Sequence, residues 1–361
     1  MDFLDFFKNQ QHKSINYTAR KCHLPEHTSF NLFGVRGSGK TSLVLDFIQD
    51  TDIKSTLYID MDNPNLIFHT LNILDLQRFI NKNHIKVLIL DHYREGTFPS
   101  FPNVEKLIVI SRIKLNYEKI ETIELFPLDY EEFLAFETLL SHNKGFNHFL
   151  RLGTLPALAG KNKNTHNIMQ TFFKSSFDSN EQKLLLILAQ HHTKHLTIHQ
   201  IYTFAKEKFK VSKDWLYKTM KLFVQEKLVI FIDDLYQKSG KKMLLFDFAF
   251  AKYLTIGQPF IMQFDTMVAL ALTKHHIDIK TLGIHGYITK ENELIISAPF
   301  ESEESLWVKS QSKFSLYKKY NIKKVTIVTI ANTYDYHIDK LYFEALPFNE
   351  WSVLNDEDPL E

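Results

Sequence analysis

Short, almost uninterrupted apolar runs recur through the first third of the chain: Phe30-Asn31-Leu32-Phe33, Thr56-Leu57-Tyr58-Ile59-Asp60, Val87-Leu88-Ile89-Leu90-Asp91, Lys106-Leu107-Ile108-Val109-Ile110-Ser111 and Thr122-Ile123-Glu124-Leu125. Runs that are apolar throughout, rather than alternating, suit strands buried on both faces of a parallel sheet. Between them the period lengthens to that of helices. Ser42–Ile48 carries an apolar face directly after the first run, and Asn65–Asn83 links the second run to the third. This alternation predicts a doubly wound α/β domain.

After Leu125 the pattern turns helical, beginning at Asp129-Tyr130-Glu131-Glu132-Phe133-Leu134, and Asn162-Lys163-Asn164-Thr165 reads as a polar connector. From Ser179 to Asp247 the order is helix, helix, helix, hairpin. The helices are Glu181–Gln190, Thr197–Phe209 and Ser212–Lys227, opened by Ser179 or Asn180, by Thr197 and by Ser212. The hairpin is Val229–Ile232, a polar tip over Asp233–Lys242, and Met243–Phe246. That is the order of a winged-helix module. From Gln258 a helix over Asp265–Lys274, strands at Gly286–Ile288, Glu293–Ile296 and Lys324–Val328, and a helix over Ser310–Tyr320 predict a smaller α/β unit. The expected division is therefore a sheet domain over 1–128, a helical lid over 129–175, a winged helix over 176–257 and a small α/β domain over 258–361.

Composition changes this picture little. The 361 residues suffice for several cores, and 44% hydrophobic with 24% charged residues is ordinary for a globular protein. A net charge of +1 means that any contact with nucleic acid must come from a local patch rather than from a global field. Cys22 is the single cysteine, so no internal disulfide forms and a reducing compartment fits. The segment Met1–Phe7 is acidic and lacks the basic start of a signal peptide, and no apolar run is long enough to span a bilayer. A cytoplasmic location with no membrane contact is expected.

The chemistry concentrates in Gly34-Val35-Arg36-Gly37-Ser38-Gly39-Lys40-Thr41, which meets G-x-x-x-x-G-K-[ST] at every required position. Average residue usage would produce that match by accident roughly once in a hundred chains of this length. A strand enters the loop and a helix, starting near Ser42, leaves it. In that setting backbone N–H groups turn inward and the helix N-terminus adds positive potential for phosphate. Lys40 then reaches the β- and γ-phosphates of ATP, and the Thr41 hydroxyl holds Mg2+. A plain glycine turn between strand and helix is the alternative, but the loop takes three of only 11 glycines in the chain.

The strand Val87–Asp91 supplies the second element, an apolar run ending in an aspartate that orders the Mg2+. A glutamate commonly follows that aspartate and activates the attacking water. Here the next residue is His92, with Glu95 as a more distant candidate, so ATP binding is better supported than fast hydrolysis. The fourth strand ends in Ser111-Arg112, where a cation can face the γ-phosphate. Gly153-Thr154-Leu155-Pro156 opens what reads as a further helix.

Lys206, Lys208, Lys210, Lys213, Lys218 and Lys221 crowd the second and third helices of the winged-helix region, and Lys238, Lys241 and Lys242 lie at the hairpin tip. Two basic elements so placed make a phosphate-contact surface for duplex DNA, with Tyr217 adding a contact and Trp215 serving either there or in the core. Equally, the lysines are solvated surface and the module mediates domain packing. His191, His192, His195 and His199 have no cysteine and no carboxylate beside them in sequence and read as ordinary histidines, not a zinc site.

These motifs together resemble the prokaryotic AAA-like P-loop ATPases related to the STAND branch, the signal-transducing ATPases with numerous domains. Arg36 at the third loop position, Ser111-Arg112 at the fourth strand tip, the segment Leu125-Phe126-Pro127-Leu128-Asp129-Tyr130-Glu131-Glu132-Phe133 and Gly153-Thr154-Leu155-Pro156 carry the resemblance. It implies that Arg112 lies near the γ-phosphate and Pro156 near the adenine. It also implies that Gly34, Arg36, Gly37, Ser38, Gly39, Lys40, Thr41 and Ser42 bind the nucleotide, and that the C-terminal unit is similar to restriction-endonuclease-like domains. That unit lacks the Glu-x-Lys such nucleases need, so a binding surface, for instance for a protein partner, is expected rather than DNA cleavage. The implied protein is a slow Mg2+-dependent ATPase switching a DNA-facing winged helix, able to oligomerise as relatives do. The alternative is an ATP-bound scaffold that does not hydrolyse and that docks proteins.

Overall fold

The computed structural model describes residues 3–9, 17–69, 71–118, 120–137, 142–159, 164–236, 239–257 and 259–354. They form two compact units. The first is Met1–Pro127 together with Gln225–Lys227, and the second is Leu128–Val224 with Leu228–Glu361.

The first unit contains α1 (Phe3–Lys8), β1 (Phe30–Phe33), α2 (Lys40–Phe47), β2 (Thr56–Asp60), α3 (Ile73–Asn83), β3 (Val87–Tyr93), β4 (Lys106–Ser111) and β5 (Glu121–Glu124). The five strands pair in parallel in the order β2-β3-β4-β1-β5. Their apolar residues fill a layer on each face: Leu57, Leu88, Leu90 and Val109 pack with Leu76, Phe79 and Ile80 of α3, while Phe30, Leu32, Ile89 and Ile108 pack with Leu43 and Val44 of α2. With the glycine loop between β1 and α2, this is the P-loop NTPase sheet. One expected element changes. The helical reading of Asn65–Asn83 resolves into a 3-10 turn over Pro64–Ile67, capped by the Asn63 side chain, and a separate α3 capped by Asn72. Two asparagines that accept backbone N–H bonds each start a new helix, which the 3.6-residue period alone does not mark.

The second unit contains α4 (Tyr130–Phe136), α5 (His142–Leu152), α6 (Thr165–Ser176), α7 (Ser179–Gln190), β6 (His195–Leu196), α8 (Ile198–Lys208), α9 (Lys213–Gln225), β7 (Val229–Ile232), β8 (Lys241–Leu245), α10 (Phe248–Tyr253), α11 (Phe260–Lys274), β9 (Ile279–Thr281), β10 (Tyr287–Thr289), β11 (Glu293–Ser297), α12 (Glu303–Ser312), α13 (Phe314–Lys319), β12 (Lys324–Thr329), β13 (Tyr334–Ile338), β14 (Leu341–Pro347) and α14 (Phe348–Leu354). Helices α7, α8 and α9 accompany an antiparallel sheet of order β6-β8-β7, whose short strand β6, between α7 and α8, the apolar pattern does not reveal. Asp178, one residue before the expected cap, opens α7 through a capping box with Glu181. The last sheet has the order β13-β14-β12-β11-β10-β9, with β11, β12 and β14 parallel and the outer pairs antiparallel. Phenylalanine binds the layers of this unit: Phe149 meets Phe133, Phe248 and Phe348, and Phe348 meets Phe264. The helices expected to form a lid thus share a core with α10, α11 and α14.

His192 is buried in this unit and fixed as the neutral ring. Its Nδ1 accepts the Leu245 N–H at 3.2 Å, and its Nε2 lies 2.8 Å from the Thr266 hydroxyl, which itself donates to the Met262 carbonyl. Burial, helped by Lys242, pulls its pKa to about 3. The folded value lies below the unfolded one of about 6.5, so the unfolded state takes the proton first and stability falls as pH drops from 6.5 toward 3. The expected slope from this group is up to about 1.4 kcal/mol per pH unit. All three tryptophans, Trp215, Trp307 and Trp351, lie in the second unit, so their fluorescence reads its unfolding. Denaturant midpoints at pH 7 and pH 5 should separate less in His192→Gln than in the wild type, and equal separations would refute the assignment.

Candidate phosphate and metal site

The loop that joins β1 to α2 lies at the carboxyl end of the sheet, where open α/β sheets bind their ligands. Gly34 enters it with φ of 150°, and a Cβ there would lie 2.3 Å from the Leu125 carbonyl oxygen, so no larger residue fits. Gly39 adopts the left-handed conformation at φ of 93° as the residue before α2. Gly37 lies between them, and Ser42 sits in the first turn of the helix. Arg20 holds the loop from outside, its guanidinium donating to the carbonyls of Ser38 at 2.9 Å and Phe126 at 2.8 Å. No sequence motif marks that arginine.

Inside the loop, Ser38 is fully buried and its hydroxyl has no hydrogen-bond partner among the described residues. A buried hydroxyl in that condition costs about 1–3 kcal/mol unless a ligand satisfies it. The Lys40 ammonium donates to the carbonyls of Gly34 at 2.7 Å and Val35 at 2.9 Å. Burial lowers its pKa to about 8, against the pull of Asp91 and Glu226. Arg112 is half-buried beyond β4 and makes no hydrogen bond or ion pair with a described residue, and burial lowers its pKa as well. Ser111 is otherwise engaged: its hydroxyl accepts from the buried Asn31 amide at 2.8 Å and donates to the Ile113 carbonyl at 2.6 Å. The Arg36 side chain meets the Glu226 carboxylate, with Nε at 2.9 Å and Nη2 at 3.2 Å, and both side chains are buried.

Asp91 is fully buried near the end of β3 and is held by three donors. The Thr41 hydroxyl reaches Oδ2 at 2.8 Å, the Tyr58 hydroxyl reaches the same oxygen at 2.6 Å, and the His92 N–H reaches Oδ1 at 2.7 Å. A threonine hydroxyl that donates its proton to a carboxylate keeps its lone pairs for a metal ion. Beyond Asp91 the β3–β4 register shifts between Leu90 and Tyr93, and His92 takes φ of 53°. That turn carries its ring to Asp60, the β2 partner of Asp91, with Nδ1 2.9 Å from Oδ1. The bond to Asp60 raises the His92 pKa. Arg94 pairs with Asp62 at 2.7 Å, and Glu95 is exposed in the following loop. The unit thus gathers Lys40, Thr41, Asp91, His92 and Arg112 at the carboxyl end of the sheet.

In the second unit the buried Thr154 donates twice to the Asp247 carboxylate, and Pro156 begins a turn rather than the expected helix. The bonds to Asp247 and the Thr154–Leu128 backbone bond fix that segment before a helix can start. Lys213, Tyr217, Lys218 and Lys221 are exposed along α9, and the Lys213 ammonium sits 5.5 Å from the Tyr217 ring centre. The hairpin lysines differ. Lys241 pairs with Asp233 at 2.9 Å, Lys242 is held by Asp265 at 2.5 Å and the Tyr287 hydroxyl at 2.7 Å, and Lys238 lies outside the described residues. Lys242 is therefore spent inside the unit rather than offered at its surface, because a carboxylate and a phenol on α11 and β10 face it.

No protein-family model and no curated protein sequence matches this chain. Among solved structures it is similar to the Walker-type ATPase of Pyrococcus abyssi, at 13% identity and a TM-score of 0.42, over 64% of this chain and 92% of that one. It is also similar to a chain of Drosophila ORC bound to AT-rich DNA and Cdc6, at 16% identity and a TM-score of 0.18, over 61% and 82% of the two chains. A chain of Drosophila ORC bound to DNA matches at 12% identity and a TM-score of 0.24, over 67% and 90%. At these values the likeness adds nothing to what the sheet order and the loop geometry establish on their own.

Proposed function

We propose that this protein binds ATP with Mg2+ in its first unit, hydrolyses it slowly, and uses the nucleotide state to control a DNA-contacting winged helix in its second. The observation that carries the nucleotide reading is the contact of Thr41 with the buried Asp91, beside a loop whose Ser38 hydroxyl lacks a partner among the described residues. The residues fit the group: Thr41 and Asp91 would hold the ion, while the loop N–H groups, Lys40 and Arg112 would receive the phosphates. The magnesium ion supplies charge neutralisation on the phosphate oxygens. Slow turnover follows from His92, whose Nδ1 is committed to Asp60, standing where a free carboxylate would orient water. ATP turnover with Mg2+, with and without duplex DNA, tests the reading; DNA-stimulated turnover supports it in full. Tight binding without turnover would favour the nucleotide-stabilised scaffold.

The DNA reading rests on the row Lys206, Lys208, Lys210, Lys213, Lys218 and Lys221 around α8 and α9, all of them exposed. Each lysine that neutralises a phosphate contributes about 0.9 to the slope of log affinity against log salt. Replacing Lys213, Lys218 and Lys221 together by glutamine should therefore flatten that slope by roughly 2–3. Fluorescence anisotropy of labelled duplex across a salt series measures it. A second reading has its own observation: Leu222 and Val224 are exposed on the same helix and would suit a protein partner. Docking through them predicts binding that salt barely weakens.

A further inference from the structure

The hydroxyl of Tyr58 has no place in any motif, yet it is one of the two side-chain donors on the carboxylate at the centre of the site. Tyr58 lies opposite Ile89 in the β2–β3 register, and Asp91 lies opposite Asp60. With a side-chain period of two, Tyr58 and Asp91 therefore share a face as diagonal neighbours, a span only a long side chain bridges. The phenol makes that span. Its ring packs in the core with Phe30, Val44 and Ile89, and its oxygen ends 2.6 Å from Asp91 Oδ2. The same carboxylate oxygen accepts from Thr41, so it is pinned from two sides. Its partner Oδ1 is held by the His92 N–H, at the strained residue where the strand register shifts. An aspartate fixed at both oxygens cannot rotate.

We propose that Tyr58 is a positioning residue for the metal: through its bond to Oδ2 it holds Asp91, and with it the Thr41 hydroxyl, in the one arrangement that receives the Mg2+ of the bound nucleotide. The inference rests on the nucleotide reading above and adds to it a residue on which Mg2+ affinity depends and phosphate affinity does not. Partners that orient a ligand from behind change metal affinity by about 10–100-fold when removed.

The test separates these two affinities. A fluorescent ATP analogue is titrated into the full chain in EDTA, and Mg2+ is then titrated at fixed nucleotide. Tyr58→Phe should leave nucleotide binding in EDTA within about twofold of wild type and raise the Mg2+ concentration for half-maximal tightening about tenfold. Unchanged Mg2+ dependence, with or without a fall in melting temperature, would overturn the proposal and leave Tyr58 a core tyrosine. Wild-type protein that fails to bind the analogue at all would overturn the nucleotide reading and this one with it. Should Tyr58→Phe not fold, 3-fluorotyrosine placed at position 58 keeps both the ring and the hydroxyl. Its fluorine resonance should then move when Mg2+ is added to the ADP-saturated protein, and a resonance that stays fixed would equally refute the role.

Discussion

Lys40→Ala should lose nucleotide binding by about a hundredfold or more while the protein becomes no less stable. The first effect follows from removing a half-buried ammonium that donates to two loop carbonyls, neutral acceptors for which phosphate oxygens are the stronger substitute. Losing one member of a buried charged pair typically costs about 2–5 kcal/mol in a complex. The second effect has the opposite sign. Desolvation holds the Lys40 pKa near 8, below its unfolded value of 10.5, so at neutral pH the folded state carries a partly desolvated charge it tolerates poorly. That penalty is fully present below pH 8 and fades as pH rises toward 10.5. Removing the ammonium relieves up to about 3 kcal/mol, from which the two lost carbonyl bonds subtract. Calorimetric titration with ATP and a melting curve without it measure both. Wild-type affinity in Lys40→Ala would end the P-loop assignment. Lost affinity with a collapsed melting temperature would mean only that the loop had unfolded.

How far this site can be read from the sequence depends on whether its parts are contiguous. The loop from Gly34 to Thr41 carries its chemistry in eight consecutive residues, and Asp91 closes an apolar run, so both are visible to pattern. Tyr58, Arg20 and Asn31 act across strands, and nothing local distinguishes them from an ordinary core tyrosine, a surface arginine and a strand polar residue. Their roles appear only when β2 pairs with β3 and when β1 lies between β4 and β5. Arg36 shows the converse. Its position in the loop makes it a nucleotide contact by resemblance, but its guanidinium meets Glu226, 190 residues away in sequence. In the second unit, helices α7 to α9 and their hairpin are legible from apolar period and caps. Strands β13 and β14 are not, because Tyr334-Asp335-Tyr336-His337-Ile338 and Leu341-Tyr342-Phe343-Glu344-Ala345 alternate more buried with less buried positions and so lack the continuous apolar run that marks the other strands.

The stability of the second unit should depend unusually on one carboxylate that no motif marks. Asp247 is fully buried as the cap of α10, and it accepts the Thr154 N–H and hydroxyl at 2.5 Å through Oδ2 and the Phe250 N–H at 2.5 Å through Oδ1. Burial outweighs its hydrogen bonds and raises its pKa, so the group is held at a cost that only its partners justify. Gly153 completes the fit, since a Cβ there would lie 2.5–2.6 Å from both carboxylate oxygens. Alanine at position 247 leaves two backbone N–H groups and a hydroxyl buried without an acceptor, each worth about 1–3 kcal/mol, and removes a helix cap worth about 1 more. Allowing the Thr154 hydroxyl to turn elsewhere, Asp247→Ala should lower the unfolding free energy by about 3–5 kcal/mol. Asparagine should recover little, because its amide must present N–H to one of the donors. Tryptophan fluorescence in urea reads this loss directly, as all three tryptophans report on this unit. A loss of less than about 1 kcal/mol, on the order of an exposed cap substitution, would mean that Thr154 and α10 find other partners and that the turn before Pro156 is held by packing alone.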